Sequence, residues 1–207
     1  MKRLEDCLLY GILDMGYVRP ADIMRVMSEM IEGGVDILQL RAKGYVQDDV
    51  RWFAEQIHPV TSEGGVPFVI NDYPDVAADI GAEGVHVGQD DLSVEQARKF
   101  AGYRTVVGKS THSIAQAMAA AADDTDYIAF GPLYATPTKP AYPPIGTQDI
   151  RTVHEMIKKP VFCIGGIKLE NLAAVREAGA RRVVIVSGIL QAGDITGYCR
   201  KVKEMLG

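Results

Sequence analysis

At 207 residues the chain has room for one large domain with a sizeable core, and 47% hydrophobic with 24% charged residues is ordinary for a globular protein. A formal net charge of −5 argues against a nucleic-acid binder, which usually carries a basic face. The three cysteines, Cys7, Cys163 and Cys199, show neither a CxxC spacing nor a disulfide framework, and Cys163 sits in an apolar run as a small buried hydrophobe would. Lys2 and Arg3 are followed by Glu5 and Asp6 and no long apolar segment, so neither a signal peptide nor a membrane span is expected, and a cytoplasmic location is.

Along the chain, short apolar runs alternate with helical patterns. A run at 8–13 precedes an amphipathic segment at 22–31 that closes on Gly33 and Gly34. A second run at 35–40 leads to a helix over 48–61, and a third at 67–70 to a short helix over 74–80. The fourth, at 84–88, precedes a helix opened by Ser93 with Gln96 three residues on, a capping box. The fifth, at 105–108, precedes a helix with the same signature at Ser113 and Gln116. After the sixth run, at 126–130, come a long connection and a helix over about 148–158. The seventh run at 160–164 leads to a helix at 169–177 that stops at Gly179, and the eighth at 182–186 to a last helix ending near Leu206. Continuous apolar strands alternating with helices imply a parallel sheet buried on both faces, and eight such units predict a single (β/α)8 TIM barrel over residues 1–207.

In such a barrel the active site lies at the C-terminal ends of the strands, and polar residues gather there. Gln39, Arg41 and Lys43 point the same way by strand alternation, and two cations with an amide on an inward row call for an anion. Strand three ends in Asn71 and Asp72, and the loop after strand four carries Asp91. The two carboxylates either hold Mg²⁺ jointly with substrate phosphate oxygens or serve as acids at helix N-termini. Strand five ends Lys109, Ser110, Thr111, His112, where His112 is an acid-base candidate or a loop histidine. His86, inside an apolar strand, reads as a satisfied core histidine. The connection at 130–146, with five prolines, is read as a functional loop closing over a phosphorylated substrate, with Thr136, Thr138 and Lys139 of the right types to hold a polyanion. Gly165 and Gly166 after strand seven, with Val186, Ser187 and Gly188 after strand eight, suit a phosphate pocket. Together these make two anion sites at one barrel mouth, as joining two phosphorylated small molecules requires.

The blocks QLRAK at 39–43, ND at 71–72, GVHVGQDD at 84–91, GKSTHS at 108–113, GPLYATPTK at 131–139, IGGI at 164–167 and VSGI at 186–189 resemble, in order, the thiamine-phosphate synthase family. The resemblance implies a (β/α)8 barrel that condenses hydroxymethylpyrimidine diphosphate with a thiazole phosphate, using Mg²⁺. By matched position it implies that Gln39 meets the pyrimidine and that Arg41, Lys43, Asn71 and Lys139 hold the diphosphate. Asp72 and Asp91 would ligate Mg²⁺, and Ser110 would lie near the reacting carbon. Thr136 and Thr138 would contact the thiazole substrate, and Gly166, Val186 and Ser187 its phosphate. Lys109 departs from the pattern, since a small apolar residue is expected between Gly108 and Ser110. A basic residue there, with His112, is similar to the paralogous thiazole tautomerases, so a tautomerase is the alternative activity. A non-catalytic thiazole-phosphate-binding protein is the other, and it leaves Arg41, Lys43, Asp72, Asp91 and Lys139 without a purpose. The implied partners are small-molecule substrates, with no nucleic acid and no membrane, and a homo-oligomer is compatible with this reading.

Overall fold

A computed structural model describes residues 2–136 and 142–207. Strand β1 (Leu9–Asp14) leads through a 3-10 turn at Pro20–Asp22 into α1 (Ile23–Glu32). Then come β2 (Ile37–Arg41), α2 (Gln47–Glu63), β3 (Phe68–Asn71), α3 (Pro74–Ile80), β4 (Gly84–Val87) and α4 (Val94–Ala101). The second half continues with β5 (Val106–Thr111), α5 (Ile114–Ala122), β6 (Tyr127–Phe130), α6 (Ile150–Met156), β7 (Val161–Ile164), α7 (Leu169–Glu177) and β8 (Val183–Ile185). A one-turn helix, α8 (Ser187–Leu190), precedes α9 (Ile195–Leu206). The strands pair in parallel in chain order, and β8 closes on β1 with Leu9 opposite Val183, so the expected TIM barrel is the architecture observed.

Strand alternation splits the apolar residues into two cores. Tyr10, Ile12, Ile37, Val69, Tyr127, Phe162 and Val184 fill the barrel interior. Their strand neighbours, such as Leu9, Leu38, Phe68 and Ile128, pack outward against the helices. Inside, Phe162 makes T-shaped pairs with Tyr10 and Tyr127, with ring centroids 5.5 and 5.6 Å away, a favoured aromatic geometry. Gly108 makes this packing possible, because a Cβ there would lie 2.0 Å from the Tyr127 ring.

Where element ends depart from expectation, long-range pairing is the cause. The apolar signal of β5 stops at Gly108, but the strand runs to Thr111 because Lys109, Ser110 and Thr111 pair with Ile128, Ala129 and Phe130 of β6. The α4 capping box forms as expected. At α5, Ser113 accepts from the Gln116 N–H, but the Gln116 side chain turns back one residue further, to the His112 N–H at 2.7 Å. Among the described residues, no helix is long and apolar enough to cross a membrane.

Candidate active site

The inward row of β2 finds its anions within the protein. Arg41 Nη1 donates to Asp14 Oδ2 at 2.6 Å, and both side chains are nearly out of solvent. Lys43 pairs with Asp72 and lies 3.8 Å from Asp91. Gln39 Nε2 donates to the Tyr10 hydroxyl at 2.7 Å. The need for an anion was legible in the sequence; the identity of Asp14 was not.

Asp72 takes a left-handed backbone, with φ of 69°, unusual for a residue other than glycine, while its N–H donates to His86 O. Asp91 Oδ2 accepts the Gly88 N–H at 2.7 Å, which turns its carboxylate back over the end of β4. Burial pushes the Asp72 carboxyl above its ordinary value, and the neighbouring Asp91 adds to this against the pull of Lys43. Burial works against the Lys43 ammonium too, but Asp72 and Asp91 hold its pKa above the usual value. Two partly buried carboxylates side by side offer hard oxygen donors of the kind that suit Mg²⁺. Among the described residues no three His, Cys, Asp or Glu side chains converge to hold a metal, so substrate oxygens and water would complete the shell around two carboxylates.

Deeper in the barrel, a chain of hydrogen bonds runs from Gln39 through both tyrosines to β5. Tyr10 and Tyr127 hydroxyls are 2.9 Å apart, Tyr127 lies 3.0 Å from His86 Nδ1, and His86 Nε2 lies 2.9 Å from Ser110 Oγ. With the Gln39 amide donating into the chain, one direction satisfies every member. Tyr10 donates to Tyr127, Tyr127 to His86 Nδ1, and His86 Nε2–H to Ser110 Oγ. Burial raises both phenol pKa values and keeps the two hydroxyls protonated. His86 is thus satisfied and buried, as its apolar strand predicts, but it also lines the cavity and bonds to Ser110, a role the strand pattern did not reveal.

Lys109 turns to the neighbouring loop, where its Nζ donates to Gly88 O at 2.7 Å, and burial lowers its pKa. His112 Nδ1 donates to Gly131 O, which assigns the ring proton to that nitrogen. After β7, Gly165 and Gly166 take positive φ angles of 100° and 64°. A Cβ on Gly166 would lie 2.7 Å from Tyr134 Cβ, so glycine is needed for conformation and for space. The Leu133 and Tyr134 N–H groups donate to Ile164 O and Gly165 O, seating the start of the chain after β6 on this loop.

One cavity at the C-terminal mouth collects most of the expected residues. Gln39, Arg41, Asn71, Ser110, Thr136, Gly166, Val186 and Ser187 all line it. The Lys43, Asp72 and Asp91 cluster forms beside it at the ends of β2 to β4. Thr138 and Lys139 lie outside the described residues.

A sequence profile described as thiamine monophosphate synthase matches residues 9–189, which takes in every strand and every site block. The chain belongs to the thiamine monophosphate synthase family. It is 44% identical over 177 residues to a thiamine-phosphate synthase of Thermus thermophilus, covering 85% of each chain. A thiamine-phosphate synthase of Chloroflexus aurantiacus is 36% identical over 204 residues, 98% of this chain and 94% of that one. Among solved structures, a thiamine phosphate pyrophosphorylase from Pyrococcus furiosus superposes with a TM-score of 0.89 at 27% identity, covering 98% of this chain and 96% of that one. Family membership spans the mouth from β1 to β8, so the cavity and the carboxylate cluster both belong to the matched region.

Proposed function

We propose that the enzyme is a transferase that condenses hydroxymethylpyrimidine diphosphate with hydroxyethylthiazole phosphate, giving thiamine phosphate and pyrophosphate. Beside family membership, one observation carries this reading. A single cavity joins an Arg41 and Asn71 end, next to paired carboxylates, to a glycine-lined end at Gly166 and Ser187. Two anionic substrates meeting head-on need two such ends.

In the proposed reaction the bond between the pyrimidine methylene and the diphosphate oxygen breaks first, with the electron pair leaving on pyrophosphate. The thiazole nitrogen then attacks the methylene cation. Such a step demands charge neutralisation at the leaving group and placement of the nucleophile, with no strong base and no covalent intermediate. Arg41, Lys43, Asn71 and Lys139 hold the diphosphate, and Gln39 orients the pyrimidine. Ser110, held by His86, sits near the reacting carbon. Thr136 and Thr138 contact the thiazole, whose phosphate is held at Gly166, Val186 and Ser187. Asp72 and Asp91 would hold Mg²⁺, which supplies neutralisation of the developing pyrophosphate charge. The reading carries small-molecule partners and a cytoplasmic setting. The tautomerase alternative draws no support from the relatives, which are named as synthases at 36–44% identity.

The test is direct. The purified protein with both substrates and Mg²⁺ forms thiamine phosphate, detected by mass. Product is lost on EDTA treatment and falls by about a hundredfold or more in Asp91→Ala. Full activity in EDTA would remove the metal from the proposal, and no product from the untreated enzyme would remove the reaction.

A further inference from the structure

We infer that Tyr142 is a positioning residue of the active site: it holds His112 in place as a wall that keeps water from the reaction cavity. The inference rests on the condensation proposed above and deepens it.

The imidazole of His112 lines the cavity beside Ser110 and Thr136. Its Nδ1–H donates to Gly131 O, and its backbone N–H donates to Gln116 Oε1 at 2.7 Å. These two bonds fix one edge of the ring and its backbone, and a third contact holds its face. Tyr142 stacks on that face, with ring centroids 4.2 Å apart and planes inclined by 26°. Tyr142 is itself pinned, because its hydroxyl donates to Asp90 Oδ2 at 2.7 Å. One side chain therefore bridges the loop after β4, whose next residue is Asp91, and the loop after β5, which carries His112. His112 lines the cavity, and both rings of the stack are only partly buried.

The chemistry makes such a wall consequential. Once pyrophosphate has left, the methylene cation has two available nucleophiles. The thiazole nitrogen gives thiamine phosphate. A water oxygen forms a C–O bond, loses a proton to solvent and gives the pyrimidine alcohol. Pyrophosphate appears in both cases, so the ratio of pyrophosphate released to thiamine phosphate formed counts how often water wins.

Tyr142→Ala removes the stack and the bond to Asp90, and the ratio is expected to rise from one to about two, with the pyrimidine alcohol making up the difference. Tyr142→Phe keeps the stack and holds the ratio near one. A ratio of one in Tyr142→Ala overturns the inference, since a purely structural role lowers both products together. A second reading needs no turnover. In the proton NMR spectrum the His112 ring resonance carries an upfield ring-current shift that is lost in Tyr142→Ala and kept in Tyr142→Phe. An unchanged resonance in Tyr142→Ala overturns the stack by itself. Absence of any product from the unaltered enzyme would instead sink the condensation, leaving the NMR result to decide the stack.

Discussion

Arg41 and Asp14 face each other across β1 and β2 as register partners, which is why a carboxylate 27 residues upstream neutralises the guanidinium. Only 13% of the Arg41 side chain and 3% of that of Asp14 reach solvent, so breaking the pair leaves a poorly hydrated charge behind. Asp14→Asn is expected to lose about 3 kcal/mol of stability. Pyrophosphate, offering oxygens to the Arg41 guanidinium in place of the lost carboxylate, is expected to raise the melting temperature of that variant by more than it raises the parent's. Thermal melts with and without pyrophosphate check both statements, and an equal shift in the two proteins would show that Arg41 does not face the anion site. Sequence reasoning identified Arg41 and missed Asp14, because a single acid after an apolar run carries no mark of its partner until the barrel register is known. His86 was missed in its second role for a related reason. Its own strand says only that it is buried, and the bond to Ser110 is made by the neighbouring strand.

For whole elements, local signals served well where the physics is local. The Ser93 and Gln96 box caps α4 as its spacing requires, and α3 and α7 begin and end where their patterns do. β5 is the counter-example, since its last three residues are polar or charged and are held extended by β6. The same strand yields a sharp prediction at Gly108, whose place on the inner wall is occupied by the Tyr127 ring. Gly108→Ala pushes a methyl into that ring, 2.0 Å from Cζ, and the ring is fully buried. A loss of about 3 kcal/mol is expected from overpacking, read as a lower urea midpoint at unchanged slope. Because Tyr127 also holds His86, the variant is expected to lose turnover at temperatures where it remains folded.

Taken as a whole, the barrel separates its two rims. The lower rim is knitted by acids that precede β2, β4 and β6 and accept N–H groups at the start of the strand before. Asp36 takes Leu8 and Leu9, Glu83 takes Phe68, and Asp126 takes Val107. Asp36 is 2% exposed and is also paired with Lys2 and Lys203. Burial works to raise its pKa, but the amides and the two lysines win and hold it below the ordinary carboxylate value. A depressed folded pKa means that the stabilisation is complete above the unfolded value of about 4 and is lost as the pH falls through the folded value. Asp36→Asn is therefore expected to be less stable than the parent by about 2–4 kcal/mol at neutral pH, with the gap closing only below about pH 4. Denaturant melts across pH 2–8 measure it, and a gap that closes already near pH 6 would contradict the depressed value. At the upper rim the acids are arranged the opposite way. Asp72 and Asp91 crowd together, and burial with the neighbouring Asp91 raises the Asp72 carboxyl.

The sequence by itself determined the barrel, because alternating apolar strands and helical periods are local properties that admit few parallel architectures. It also determined which polar side chains stand at the strand ends, since strand alternation sets the face on which each one lies. Tertiary structure alone decided who meets whom. Lys43 with Asp72 and Asp91, His86 with Ser110, and Tyr142 with His112 and Asp90 are contacts across neighbouring strand ends and loops. Their partners lie 24 residues apart for His86 and Ser110 and 52 apart for Tyr142 and Asp90. Such contacts exist only once eight strands have closed in one register, because that closure, and no property of the segments taken singly, sets the distances between their ends.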